Sequence, residues 1–398
     1  MWNAYDKFGP ARNLPAPASG LSAVPSPLDW PMYQRDPTHS AAIPGEGIIH
    51  KAEVKWRFET EEPLLSSAAV VDGWVYLSTG DRRIVALDAS SGELIWERRV
   101  TGPVDSSPAV AGDFLFVGLR DGGVLSLHKA TGETQWQFAT GGPIYSSPVV
   151  NQGEIYIGSG DSKLYALDAL TGEERWSQLT GGRLTNGPAT HDGVIAATSQ
   201  DRTLYLMDTD TGKQRLDYRL SGVGGAPTFD LNGGNVLVAD GSGVLRAIDW
   251  RQRDPPFEKL IQRVKFQLFM WGLLDSLPLQ RGLIWRFQGP QSGLVGAPVV
   301  ADYRVYVSSR SGILFALDRS TGKKLWEFKT AAAIETSPSV AAQTVFVGDY
   351  DGRLYAIDAA TGKSQWEIEI GGPISSTPVI ADGVIYLSSL NGTLYAIQ

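Results

Sequence analysis

Asp105 in "VDSSP" (104–108) and Glu335 in "IETSP" (334–338) occupy matching places in a short step that recurs eight times along the chain. Carboxylates brought together can hold a hard cation such as Ca²⁺, or take and return a proton. The other six copies put Leu65, Tyr145, Thr185, Gly224, Val295 and Ser375 at that place. Asp105 and Glu335 belong to the second and seventh copies, which are not neighbours, so no shared metal site is expected of them. The four histidines, His39, His50, His128 and His191, show no metal-ligand spacing. No Ser-His-Asp arrangement, phosphate-cradling loop or paired-carboxylate motif stands out. The chain has no Cys, which excludes disulfides, zinc-thiolate centres and thiol nucleophiles.

The elements that must position these residues follow from a repeat. "ALDALTGEERW" (166–176) returns as "ALDRSTGKKLW" (316–326) and "AIDAATGKSQW" (356–366), and with Ser for Thr as "ALDASSGELIW" (86–96). Trp56, Trp96, Trp136 and Trp176 stand 40 residues apart, Leu216 holds the next place, and Trp285, Trp326 and Trp366 complete eight equivalent positions. Between them lie short runs rich in β-branched and aromatic residues, such as "EIYIGS" (154–159) and "KLYALD" (163–168), bounded by Gly, Asp and Ser. Such runs read as strands. Four strands per period, eight times over, predict an all-β, eight-bladed β-propeller of four-stranded antiparallel blades over 52–398.

In this reading Asp168, Thr171 and Gly172 turn the chain between the third and fourth strands of a blade. Asp bonds backbone amides just ahead of it, and Gly takes positive φ without steric cost. The seven Trp side chains cover neighbouring blades, each removing roughly 150–250 Å² from water. His128 replaces the turn Asp of blade two and is read as structural. The chain ends at "GTLYAIQ" (392–398), a third strand, and "AEVKWRFE" (52–59) precedes the first blade. The N-terminal strand is therefore expected to join the C-terminal blade and close the ring, removing a free sheet edge.

The A-x-D-x-x-T-G-x-x-x-W motif resembles the tryptophan-docking repeat of the quinoprotein, or PQQ-like, propeller family, over residues 52–398. "WPMYQRDPTHSA" (30–41) also looks like the lead-in before the first blade of bacterial members. The family includes quinone-dependent alcohol dehydrogenases and non-enzymatic scaffolds of the BamB-like branch, so resemblance alone does not fix function. A dehydrogenase of this family implies a Ca²⁺ held by Glu, Asn and Asp oxygens, a catalytic Asp, and a flat floor and ceiling for the quinone. In the alcohol dehydrogenases the ceiling is a vicinal disulfide, which this Cys-free chain cannot make, although the membrane glucose dehydrogenases do without it. The enzymes also carry long insertions around the site, whereas six of the seven intervals between marked positions here are 40 or 41 residues. No cofactor, no catalytic residue and no enzymatic activity are expected.

The repeat breaks in one region. Leu216 lacks the indole, and "DWRQRDPPFEKLIQRVKFQLFMWGLLDSLPLQRG" (249–282) replaces the expected Thr-Gly hairpin of blade five. After Pro255 and Pro256, a helix is predicted near Phe257. Phe257, Leu260, Ile261, Val264, Leu268 and Trp271 fall on one face of it, with Lys259, Arg263, Lys265 and Gln267 elsewhere. This insertion (250–282) has three readings: a helix folded back on the propeller wall, one docked into a partner protein, or one lying on a membrane surface through 257–274. The six apolar residues are the candidate partner-binding set.

Residues 1–51 form a Pro-rich N-terminal extension, and 1–29 read as a tether or as a segment ordered on a partner. The net charge is −8 with no basic block, so nucleic acid is not an expected partner. No run of about 18 apolar residues exists to span a membrane. The N-terminus lacks the basic and apolar regions of a signal peptide, which leaves a cytoplasmic protein or one whose targeting segment precedes this numbering. The expectation is an extracytoplasmic, membrane-associated bacterial scaffold that binds one or more proteins and does not self-assemble. The competing expectation is a PQQ-dependent alcohol or sugar dehydrogenase, or a small-ligand-sensing propeller.

Overall fold

The computed structural model describes residues 29–43, 52–255, 257–275 and 280–398. Eight sheets of antiparallel blade strands follow one another around a ring, and in all but the last the blade strands run in sequence order from the channel outward. Blade one is Ala69–Val71, Trp74–Ser78, Arg83–Asp88 and Leu94–Arg99. Blades two, three and four repeat this at 109–139, 149–179 and 189–219, and blades six and seven at 294–329 and 339–369. Blade five runs from Thr228–Asp230 to Leu283–Gln288 and carries the helix Glu258–Met270 between its third and fourth strands. Blade eight takes Val379–Ala381, Val384–Ser388 and Thr393–Ile397 from the C-terminus and Val54–Glu59 as its outermost strand. Trp56 stands opposite Ala396 and Arg57 opposite Tyr395, so the two chain ends seal the ring as the repeat predicts.

The repeat motif becomes physical in the register. The marked Trp lies directly across from the motif Ala, as Trp96 does from Ala86, Trp176 from Ala166 and Trp326 from Ala316. A small residue there leaves room for the indole to tip toward the next blade. The indole N–H of Trp136 donates to the Ala169 carbonyl at 3.0 Å, and those of Trp56, Trp96, Trp176, Trp285 and Trp326 donate one blade onward in the same way. Gly172 lies under the Trp136 ring at φ +73°, and a Cβ on it would stand 2.6 Å from the indole. That glycine is therefore required both by backbone conformation and by close approach. In blade four, Leu216 faces Leu206, so both members of the Ala-Trp pair change together and the volume between the strands is conserved.

The turn Asp acts as expected. Asp168 Oδ1 accepts from the Leu170 and Thr171 amides at 3.0 Å, and Arg175 donates to its other oxygen at 2.6 Å. Burial alone would raise this carboxyl, but the Arg175 bond and the two amides outweigh it and hold it below the usual carboxylate range. In blade two the Ala130 amide donates to His128 Nδ1 at 3.2 Å, so the imidazole substitutes for the carboxylate as turn acceptor. His191 packs its ring against Phe229 and Trp250. His50 and residues 1–28 lie outside the described residues.

Residues 29–43, part of the N-terminal extension, lie inside the ring. Trp30 bonds both ways with Val70 of blade one. The carbonyls of Pro31, Pro37, Thr38 and Ala41 accept from Val110, Thr190, Phe229 and Val340, which are first-strand amides of blades two, four, five and seven. Ala42–Ile43 then adds a fifth, parallel strand to blade seven, and Gln34 Nε2 donates to Thr377 Oγ1 of blade eight. Eight first strands present unpaired edge groups to the channel, and this segment satisfies many of them. Trp30, Met32, Gln34, His39 and Ala41 are wholly buried as a result.

Candidate functional site

The channel and the insertion are the two places where the ring departs from its own repeat. Connections from a fourth strand to the next first strand bring the recurrent "SSP" steps to one face of the ring. There they line a cavity of about 250 Å³, with Tyr33 of the crossing segment in its wall. Of the positions expected to face the channel, Leu65, Asp105, Tyr145, Thr185, Glu335 and Ser375 line this cavity. Gly224 and Val295 do not. Gly224 is bridged to Asp240, and Val295 belongs to the long first strand Leu294–Ala301 of blade six.

Hydroxyls dominate the rest of the lining, and several already have work. The Ser67 amide donates to Ser107 Oγ and the Ser107 amide to Ser147 Oγ, both at 3.0 Å, and the Ala297 amide donates to Ser337 Oγ at 2.8 Å. Each bond joins one blade to the next, so the serines of the repeated step stitch the inner rim. The two carboxylates are also engaged. Arg120 donates to Asp105 at 2.6 Å and lies over the Tyr145 ring, while Arg310 donates to Glu335 at 3.3 Å. Among the described residues no three His, Asp or Glu side chains come together as metal ligands do. A Ca²⁺-quinone site of the dehydrogenase type takes its oxygens from neighbouring Glu, Asn and Asp side chains, and a cavity whose two acids stand in non-neighbouring blades and are each matched by an arginine does not fit that group.

His39 sits deepest in the crossing segment. Its Nδ1 donates to the Pro227 carbonyl at 2.8 Å, and its ring meets Tyr33 edge to face. Burial pushes the imidazole down to about 4, against the smaller opposing effects of the Pro227 bond and of Asp36. It is therefore neutral and structural at physiological pH. The crossing segment has no periodic pattern, and no single motif in its sequence announces the contacts it makes.

The insertion is rooted in blade four. The Asp254 amide donates to the Arg215 carbonyl, the Asp217 amide to Asp254 Oδ2, and Gln280 exchanges two bonds with the Arg219 backbone. These groups belong to the outermost strand, Gln214–Arg219, so the two arms of the insertion cover an otherwise open sheet edge. The helix between them buries little of its apolar face. Phe257 is 77% exposed and Trp271 69%, and Leu260, Ile261 and Val264 are also exposed. Leu268 alone of the six candidate residues is half-buried. Phe266, Met270 and Leu273, outside the six candidate residues, are exposed as well. No helix among the described residues is long and apolar enough to cross a membrane.

Compared by structure, the chain is similar to BamB from Moraxella catarrhalis at 17% identity and a TM-score of 0.69, covering 87% of this chain and 98% of that one. It is similar to the quinohemoprotein alcohol dehydrogenase from Comamonas testosteroni at 16% identity and a TM-score of 0.74, covering 93% and 80%. A europium-containing methanol dehydrogenase matches at 14% identity and a TM-score of 0.75, covering 94% and 98%. At these identities the likeness is one of fold. A comparison with curated protein sequences finds no match. The sequence profile described as "Outer membrane protein assembly factor BamB" matches at residues 51–184, 162–260, 277–369 and 337–398. By that coverage, the chain belongs to the BamB family of PQQ-like propellers.

Proposed function

We propose that this protein is a non-catalytic scaffold that mediates protein–protein interaction in an extracytoplasmic, membrane-associated complex. The observation that carries the reading is the insertion: a helix anchored at both roots to blade four, with its apolar face turned to solvent. Contiguous exposed apolar surface on a stable fold marks an interaction site. The ring supplies what a scaffold needs, a rigid closed frame whose short loops offer a broad binding face. The likeness to BamB supports the same reading. Deleting 254–280 is expected to leave the ring folded, with a lower thermal transition because Asp254 and Gln280 leave the blade-four edge, while abolishing co-purification with its complex from native membranes. If association survives the deletion, this reading fails.

A second reading, a PQQ-dependent alcohol or sugar dehydrogenase or a ligand-sensing propeller, draws support from the fold likeness to the two dehydrogenases. The Asp105–Arg120 and Glu335–Arg310 pairs weigh against it. Dye-linked turnover of an alcohol or sugar after adding the quinone with Ca²⁺ would overturn the scaffold reading in favour of this one.

A further inference from the structure

We infer that the insertion helix seats on an anionic lipid surface, lying in the plane of the interface. The inference rests on the scaffold reading in taking the insertion as the element that attaches the protein to its membrane-associated complex; it assigns the apolar face to the membrane and leaves protein contacts to the short loops of the ring. Residues 250–282 contain six cations (Arg251, Arg253, Lys259, Arg263, Lys265 and Arg281) against three anions (Asp254, Glu258 and Asp275). The segment is thus net positive in a chain of net charge −8. Arg253 faces Asp208 of blade four, whereas Arg263 and Lys265 stand exposed on the helix.

The cations beside the apolar face point to an anionic lipid surface. At 100° per residue, Leu260, Ile261, Val264 and the half-buried Leu268 share one sector, with Arg263 on one side of it and Lys265 on the other, and exposed Phe257 and Trp271 flank the helix at its two ends. That is the arrangement of an interfacial helix, whose apolar face enters the acyl boundary while flanking cations meet headgroup phosphates. Here Phe266 and Met270 are exposed outside the main sector, and Leu273 extends the apolar surface past the helix end. Trp271, at the last turn, suits the boundary, where an amphipathic ring has one wet side and one dry side. The roots on blade four hold the helix at the rim of the ring, where a flat surface can reach it.

The test is flotation of the full chain with pure lipid vesicles, one set of phosphatidylcholine alone and one with about a quarter phosphatidylglycerol. The protein is expected to float with the anionic vesicles at least about tenfold more than with the neutral ones, and to be released by raised salt. A Leu260→Glu/Val264→Glu variant should lose flotation. An Arg263→Gln/Lys265→Gln variant should lose the preference for anionic lipid. Circular dichroism of each variant verifies the ring, whose contacts these exposed residues do not make. Equal flotation of wild type and both variants, or none of the wild type, overturns the inference. Association with native membranes that needs the helix, together with failure to float on pure lipid, makes the occupant a protein; that outcome overturns the lipid inference and leaves the scaffold reading standing.

Discussion

Replacing Gly172 with Ala tests whether the indoles are truly wedged between blades. The residue sits at φ +73°, and the added methyl would lie 2.6 Å from Trp136 Cδ2 and Cε3. Two costs arise. Left-handed backbone costs an Ala roughly 1–2 kcal/mol. The methyl must also displace the ring, at about 1–3 kcal/mol for overpacking, and endangers the Trp136–Ala169 bond, worth about 1 kcal/mol. A loss near 3–4 kcal/mol is expected. Gly73 provides the matched control, since it has φ +76° and a Cβ there would meet nothing within 4 Å. Gly73→Ala should therefore show the backbone cost alone, about 1–2 kcal/mol. Urea unfolding followed by tryptophan fluorescence gives both values, with the slope checked for each variant. A Trp136→Ala/Gly172→Ala double variant closes the cycle. With the ring gone the methyl has room, so the two single losses should overshoot the double by about 1–3 kcal/mol. Equal losses for Gly172→Ala and Gly73→Ala, or strict additivity in the cycle, would refute the wedge.

His39 makes stability depend on pH. Its folded value of about 4 lies below the ordinary 6.5, so the fold favours the neutral ring. The contribution is fully present above pH 6.5 and is lost as pH falls toward 4. Between pH 7.5 and 5 this amounts to about 2 kcal/mol, a window above the lowered values of turn carboxylates such as Asp168 and Asp318. Unfolding curves at the two pH values should show the loss in the wild type and little of it in His39→Gln; an unchanged pH slope in the variant sinks the assignment. Trp56 bears on ring closure. It is buried beside Tyr386 and donates to Ala89, so Trp56→Ala should cost about 3–5 kcal/mol and expose the Val54–Glu59 strand to limited proteolysis. A variant as stable and as protease-resistant as wild type would show that closure does not depend on this side chain.

The ring was legible because its repeat is carried by side chains whose spacing is the structure. A Trp every 40 residues, an Ala opposite it and, one blade on, a Gly beneath its ring each mark one interblade contact. Leu216 could be seen to break the pattern, and Leu206 shows why the break is tolerated, since the strand opposite changed size with it. The stretch 30–41 stands out in the sequence as a lead-in to the first blade, but its path across the channel was not legible, for the opposite reason. Its bonds run mostly from backbone carbonyls of Pro31, Pro37, Thr38 and Ala41, and any residue supplies a carbonyl. What could have predicted it is a count of unmet demand: eight short first strands must find partners for their channel-facing amides, in water or in another stretch of chain. Filling that demand with the segment just before the first blade ties both functional regions to one scheme. The channel is engaged by the chain's own backbone and its acids by the chain's own arginines, while the insertion alone leaves a large apolar face without a partner among the described residues. On the proposed reading the binding surface is the insertion, so the decisive experiments act on 254–280 and leave the channel intact.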